Sequence, residues 1–153
     1  MDENLQRLFD QAEIRDTILC FAVSLDLKDW DQCRSCFTDD IYVDYSDLRG
    51  ESPVQMLADE FVAQRRKALG HLKTQHLSTN HLITIQGGHA TCVSSMAIYR
   101  RRSSSVEDGT FDTHCYYTHE LVRTPQGWKI RKVKQKVLWN DGDSTLHAGV
   151  PRK

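Results

Sequence analysis

Asp26 and His76 are the residues whose types and surroundings point most directly to chemistry: a carboxylate and an imidazole, fifty positions apart, that a fold can bring together as a general base. Asp26 lies four residues after Ala22 and seven after Leu19, on the apolar stripe of a helical pattern running from Leu5 to Leu27. It falls in the last turn, where the helix dipole and burial both disfavour a negative charge, so its pKa is expected to rise unless a cation answers it. A coupled pair is expected to show a His76 pKa raised well above about 6.5. The plainer alternatives are that Asp26 caps the turn into Lys28 and Asp29 and that His76 is a core histidine bonded to a neighbour.

The elements that would position this pair follow from periodicity. The first helix buries Leu8, Phe9, Ala12, Ile18, Leu19, Ala22 and Leu25. Asp29 caps a short second helix from Trp30 to about Phe37, and Ile41 to Tyr45 alternates as a strand. After a turn-rich segment from Ser46 to Glu51, Ser52 and Pro53 begin a third helix, with Val54, Leu57, Ala58, Phe61, Val62 and Leu69 on its buried side and Gly70 as its stop. The period then changes from helical to alternating. Thr74 to Gln86, Ala90 to Arg102, Phe111 to Arg123 and Gly127 to Asn140 read as four long strands joined by short turns, an antiparallel meander. Three helices followed by such a sheet is an α+β arrangement with the helices on one face, in one domain covering residues 1–153. From Asp141 to Lys153 periodicity is lost, which suits a loose tail or a cover over a pocket.

Composition narrows the function classes. With 39% hydrophobic and 27% charged residues in 153, the chain fits a single core, and a net charge of -1 supplies no global field for nucleic acid. The basic clusters at Arg65, Arg66 and Lys67, at Arg100 to Arg102 and along Arg131 to Lys136 read as solvated faces. No apolar run approaches the roughly 18 residues of a membrane helix, and the acidic N-terminal segment is unlike a secretory signal, so a cytoplasmic location is expected. The five cysteines are odd in number and scattered, which suits reduced thiols; Cys33 and Cys36 form one CxxC that continues an apolar stripe, favouring packing over redox chemistry. The histidines lack the spacing of a metal set, and no phosphate loop or nucleophile elbow is present, so the expected mechanism is cofactor-free and without metal.

That order of elements, together with Ser24-Leu25-Asp26-Leu27-Lys28-Asp29-Trp30-Asp31, Val43-Asp44-Tyr45, Thr74-Gln75-His76 and Gly127-Trp128-Lys129-Ile130, resembles the SnoaL-like branch of the NTF2-like superfamily, and within it the scytalone dehydratases. The resemblance implies a cone-shaped, strongly curved antiparallel sheet closed by three helices around a pocket. It also implies a dehydration or related elimination in which His76 takes a proton beside a carbonyl while Asp26 holds it, with Tyr45 helping to polarise the carbonyl. Four positions depart from the dehydratase pattern. Leu25 stands where a second tyrosine is found, Arg100 or Arg101 where a second histidine is found, and Cys115 and Tyr117 near a serine and asparagine pair.

Elimination of water beside a carbonyl needs a base, a donor for the enolate oxygen and an acid for the departing hydroxyl. His76 is the candidate base with Asp26 behind it, and Tyr45 the candidate oxyanion donor, plain strand packing being its alternative. Arg100 or Arg101 cannot readily give up a proton and would be an electrostatic anchor, leaving protonated His76 to return its proton to the leaving group. Leu25, Cys115 and Tyr117 are pocket-wall candidates, the last two being alternate positions on one strand face. The leading expectation is therefore a cofactor-independent lyase acting on a small cyclic hydroxy-ketone or polyketide-like compound. An isomerase or cyclase using the same base, a non-catalytic ligand-binding or partner-subunit module, and a structural homo-oligomer (dimer or trimer) built on the sheet face from Lys129 to Trp139 stand beside it.

Overall fold

The structure is a computed structural model that describes residues 2–103 and 105–147. The chain begins with a long helix α1 (Glu3–Leu27), a short helix α2 (Trp30–Ser35), strand β1 (Phe37–Asp44), a single-turn helix α3 (Ser46–Arg49), strand β2 (Val54–Leu57) and helix α4 (Ala58–Leu69). Four long strands follow, β3 (Lys73–Gln86), β4 (His89–Arg101), β5 (Thr110–Thr124) and β6 (Gly127–Gly142), with 3-10 turns at Val106–Asp108 and Ser144–Leu146. All six strands form one curved sheet in the order β2-β1-β6-β5-β4-β3. No helix among the described residues is long and apolar enough to cross a membrane.

Strands of 13 to 16 residues are far beyond the usual five or six, and a twisted sheet of that length cannot stay flat. Irregular register bends it: between Thr79 and Leu82 on β3, where Asn80 adopts φ 55, and twice along β5 against β6, at His114/Cys115 and at Glu120/Leu121. Met96, Ile98, Cys115, Leu121, Ile130 and Val133 line one face of the sheet, and α1 and α4 cover it with Ile14, Ile18, Phe21, Leu25, Phe61 and Leu69. The five cysteines are free and four of them are buried; burial raises the Cys33 thiol to about 11, which suits packing and not redox exchange.

Several expectations are corrected. The sheet is mixed, not wholly antiparallel: β3 to β6 form the meander, but β1 runs parallel to β6 because most of the chain separates them and no tight turn sets their direction. The third helix starts at Ala58 and not at Pro53, since Val54 to Leu57 pair as an edge strand with Val43 to Asp40. Pro53, which has no N–H to give, sits just outside that edge. Leu8 and Phe9 are exposed, and the buried stripe of α1 starts instead at Asp10 and runs through Ile14 and Ile18. The segment after β6 is not loose over its described part: Asp143 caps the turn Ser144–Leu146, and Leu146 packs with Leu48 and Phe111. The remainder of the expected tail, 148–153, lies outside the described residues.

Asp10 fastens the N-terminal part of α1 to the β5–β6 hairpin. Its carboxylate accepts from Arg123 Nη2 at 2.6 Å, Trp128 Nε1 at 3.2 Å and Gln6 Nε2 at 3.1 Å, and the Arg123 bond holds its carboxyl below the usual carboxylate range. Asp10→Ala strips the buried indole N–H of its acceptor, and urea unfolding should show a loss of about 2 kcal/mol.

His119, stacked on Tyr117 and edge-on to Phe21, is fully buried with neither ring nitrogen hydrogen-bonded among the described residues, and burial depresses its pKa to about 3. The unfolded imidazole titrates near 6.5, so between these values the unfolded chain takes the proton and the folded one does not. His119 therefore adds an acid penalty of about 1.4 kcal/mol per pH unit as pH falls through that window, and none above it. His119→Phe should flatten this part of the stability profile in denaturant titrations from pH 7 down to pH 4.

Candidate active site

The last turn of α1 meets the first residues of β3. Lys28, with φ 60, ends the helix in the left-handed conformation, and Asp26 two residues earlier faces β3, where Thr74 and His76 share a face as alternate strand positions. Asp26 Oδ1 lies 2.6 Å from His76 Nδ1 and accepts the Thr74 hydroxyl at 2.9 Å, while Oδ2 accepts the His76 backbone N–H at 2.7 Å. The Lys28 ammonium donates to Thr74 Oγ1 at 2.9 Å, so the single Thr74 hydroxyl proton is directed at Asp26. A carboxylate that accepts from this many donors is ionised, which makes His76 Nδ1 a donor too. Nε2 is then the ring nitrogen with a lone pair for a ligand.

The titration behaviour differs from the sequence expectation in both partners. Burial alone would raise the Asp26 carboxyl, but the hydrogen bonds and charge of His76 with the Thr74 hydroxyl outweigh it and hold the carboxyl below its ordinary value. Its side chain is 19% exposed, so it sits at the edge of the core and not deep in the stripe. Burial also lowers the His76 pKa, against the pull of Asp26, and the charges of Arg100 and Lys28 push the same way. The pair at neutral pH is thus a carboxylate with a neutral imidazole, not a charged ion pair.

His76 lines a narrow cavity of about 10 Å³, room for about one water molecule. Of the residues expected around it, Leu25, Tyr45, Arg100 and Tyr117 are in the wall. Tyr45 lies one residue beyond β1, capping α3, and not on a strand; its ring stacks on Phe61 with centroids 6.2 Å apart and meets the Tyr117 ring edge-on, also at 6.2 Å. Gln135 Nε2 in turn donates to the Tyr117 hydroxyl at 3.2 Å. Cys115 is buried on the same face of β5 but outside the wall, between Gln135 Nε2 and the Met96 carbonyl. Arg101 points to the opposite face from Arg100 and pairs with Asp112 at 2.5 Å, away from the cavity.

Leu48, Leu69 and Ile98 complete the apolar wall, and three polar wall residues were missed in the sequence: Arg65, Gln135 and His147. Arg65, read as part of a solvated basic cluster, is buried on α4, four residues after Phe61 and four before Leu69. That spacing on an apolar stripe was the signal that could have found it. Gln135 alternates with Val133 facing the core, whereas His147, on the last described turn, left no periodic trace. A wider, more open depression lies on the other side of Leu48, between Asp47, Phe111 and Trp139, and does not include the Asp26–His76 pair. No cluster of three or more metal-type side chains occurs among the described residues.

A SnoaL-like domain model matches residues 6–134. Among curated proteins, scytalone dehydratase from Colletotrichum orbiculare is 26% identical over 147 residues, covering 88% of this chain and 76% of the relative. Among solved structures, the Kfla4162 protein from Kribbella flavida superposes with a TM-score of 0.85 at 26% identity, covering 92% of this chain and 97% of the other. The hexachlorocyclohexane dehydrochlorinase LinA-type3 from Novosphingobium barchaimii shares the fold, with a TM-score of 0.73 at 18% identity, covering 98% and 100%. A cystatin-like fold is also that of an NTF2-like protein from Novosphingobium aromaticivorans, with a TM-score of 0.72 at 18% identity, covering 88% and 86%. With a family model matching most of its length and the NTF2-like fold around it, this chain belongs to the SnoaL-like domain family.

Proposed function

We propose that this protein is a cofactor-independent lyase that removes a proton beside a carbonyl of a small cyclic hydroxy-ketone and expels the neighbouring hydroxyl as water. The observation that carries the reading is the 2.6 Å contact between Asp26 and His76 Nδ1, with the same imidazole forming part of a cavity wall. A neutral His76 is ready to accept a proton without first losing one, and Asp26 lowers the energy of the imidazolium as it forms. The Tyr45 and Tyr117 hydroxyls, the latter accepting from Gln135 Nε2, supply neutral donors for the enolate oxygen. Protonated His76 then hands its proton to the departing hydroxyl, so one group serves both steps. The name of the 26%-identical relative, scytalone dehydratase, supports an elimination of this class. Isomerisation through the same enolate differs only in where the proton returns.

The test is turnover across a panel of cyclic 3-hydroxy-ketones, followed by enone absorbance. His76→Ala and Asp26→Asn should each lower kcat by a hundredfold or more. Unchanged turnover in both variants refutes the dyad.

The pH profile gives a second check. Because burial lowers the His76 pKa, the base is present throughout the neutral range, and kcat should fall only as pH drops below about 6.5. Asp26→Asn removes the group that supports the imidazolium, so the acid limb should move to still lower pH in that variant.

A further inference from the structure

Two cations in the cavity wall have no counter-ion among the described residues. Arg65 is 4% exposed, and its Nε and Nη2 find no hydrogen-bond acceptor among the described residues. Its guanidinium lies 5.0 Å from the centroid of the Tyr45 ring and 5.4 Å from that of Phe61. Arg100 is 2% exposed; its Nη1 donates to Thr113 Oγ1 at 2.9 Å and to the Phe111 carbonyl at 3.4 Å, while its Nε has no acceptor among the described residues. Neither arginine forms an ion pair among the described residues, and Asp112, whose charge reaches Arg100, is already committed to Arg101.

Burying one unpaired guanidinium is unfavourable, and burying two of like charge around the same small space is worse. Burial brings Arg100 to about 10, with the charge of Arg65 pushing the same way, which still leaves it charged at neutral pH. A methionine or leucine at position 65 would fit the apolar stripe of α4 without that penalty. Aromatic rings offset part of the cost, but they leave the N–H groups without acceptors. An anion in the cavity would satisfy them, and the planar fork of a guanidinium matches a pair of oxygens sharing one charge.

We propose that the cavity, widened by rotation of its wall side chains, takes a small substrate carrying a negative charge shared over two oxygens, a carboxylate or an enolised 1,3-dicarbonyl, held by Arg65 and Arg100 in the same space as His76. This deepens the reading of the cavity as a substrate site and rests on it, but it does not depend on the dyad being the base. Two cations also suit the chemistry: one answers the charge that the substrate brings, and the other the charge that develops when a proton is removed.

The experiment is isothermal titration with four probes at neutral pH. Benzoate and 1,3-cyclohexanedione, which is enolised there, carry the charge; benzamide and cyclohexanone are the neutral controls. The anions should bind at least tenfold more tightly than the neutral controls. Arg65→Met and Arg100→Met should each remove tenfold or more of the anion affinity while leaving neutral ligands within twofold. Arg66→Met, at an exposed neighbour, should change nothing. A preference for benzoate assigns the carboxylate, and a preference for the dione assigns the enolate. Thermal unfolding of Arg65→Met without ligand should show an unchanged or higher Tm, because an unanswered buried charge has gone. If either arginine variant fails to fold, the anion-to-neutral ratio of the wild-type protein decides alone. Equal binding of charged and neutral probes, no binding of any, or an anion preference that survives in both arginine variants overturns the proposal. His76→Ala should keep the anion preference even where it loses turnover, so failure of the dyad chemistry and failure of the anion site give different results.

Discussion

The Asp26 carboxylate fastens the end of α1 to the start of β3, through both the side chain and the backbone of His76. The backbone bond is the less conspicuous of the two and has the wider effect. It uses an N–H at the first residues of β3, beside the helix end, so the position of the imidazole is set by main chain and not only by rotamer choice. Thr74 and Lys28 extend the same junction on either side. A helix of 25 residues ending in a left-handed turn, and a strand that begins with alternating polar residues, are brought to one point by a single acid. The rest of the cavity is built outward from there.

What surrounds that junction is an uneven electrostatic enclosure. Its wall combines a neutral imidazole backed by a carboxylate with two arginines and two tyrosines. The curved sheet makes this arrangement possible. The register shifts in β3 and β5–β6 bend strands long enough to reach from the helix layer to the far wall, and residues such as Arg100, Tyr117 and Gln135 then converge although their strands run side by side. A flat sheet would have spread the same residues along one plane.

Much of this was legible in the sequence, and the parts that were not share a cause. Asp26 and His76 stood out because each is polar where its element is apolar, and the four long strands stood out by period. Arg65 carried the same kind of signal, lying in register with Phe61 and Leu69, but its neighbours Arg66 and Lys67 made it look like one of a solvated cluster. Asp10 was masked in the opposite way, by Leu8 and Phe9 suggesting a stripe that the structure leaves in solvent. Local hydrophobicity misleads where a tertiary partner decides: β2 became a strand because β1 offered it an edge, against the helix-start signal of Ser52 and Pro53. The direction of β1 beside β6, and the placement of His147 in the wall, depend on contacts between distant parts of the chain and leave no periodic mark.

Two of the carboxylates of α1, Asp10 and Asp26, act at separate points along one rigid rod, about 24 Å apart at the usual helical rise. A beam pinned at two points can neither slide by a residue nor roll about its axis without breaking one pin. The orientation of the imidazole is therefore partly inherited from a hairpin at the far end of the molecule. Drift in the residues around Trp128 and Arg123 would retune the site mechanically, at a distance, with every wall residue unchanged.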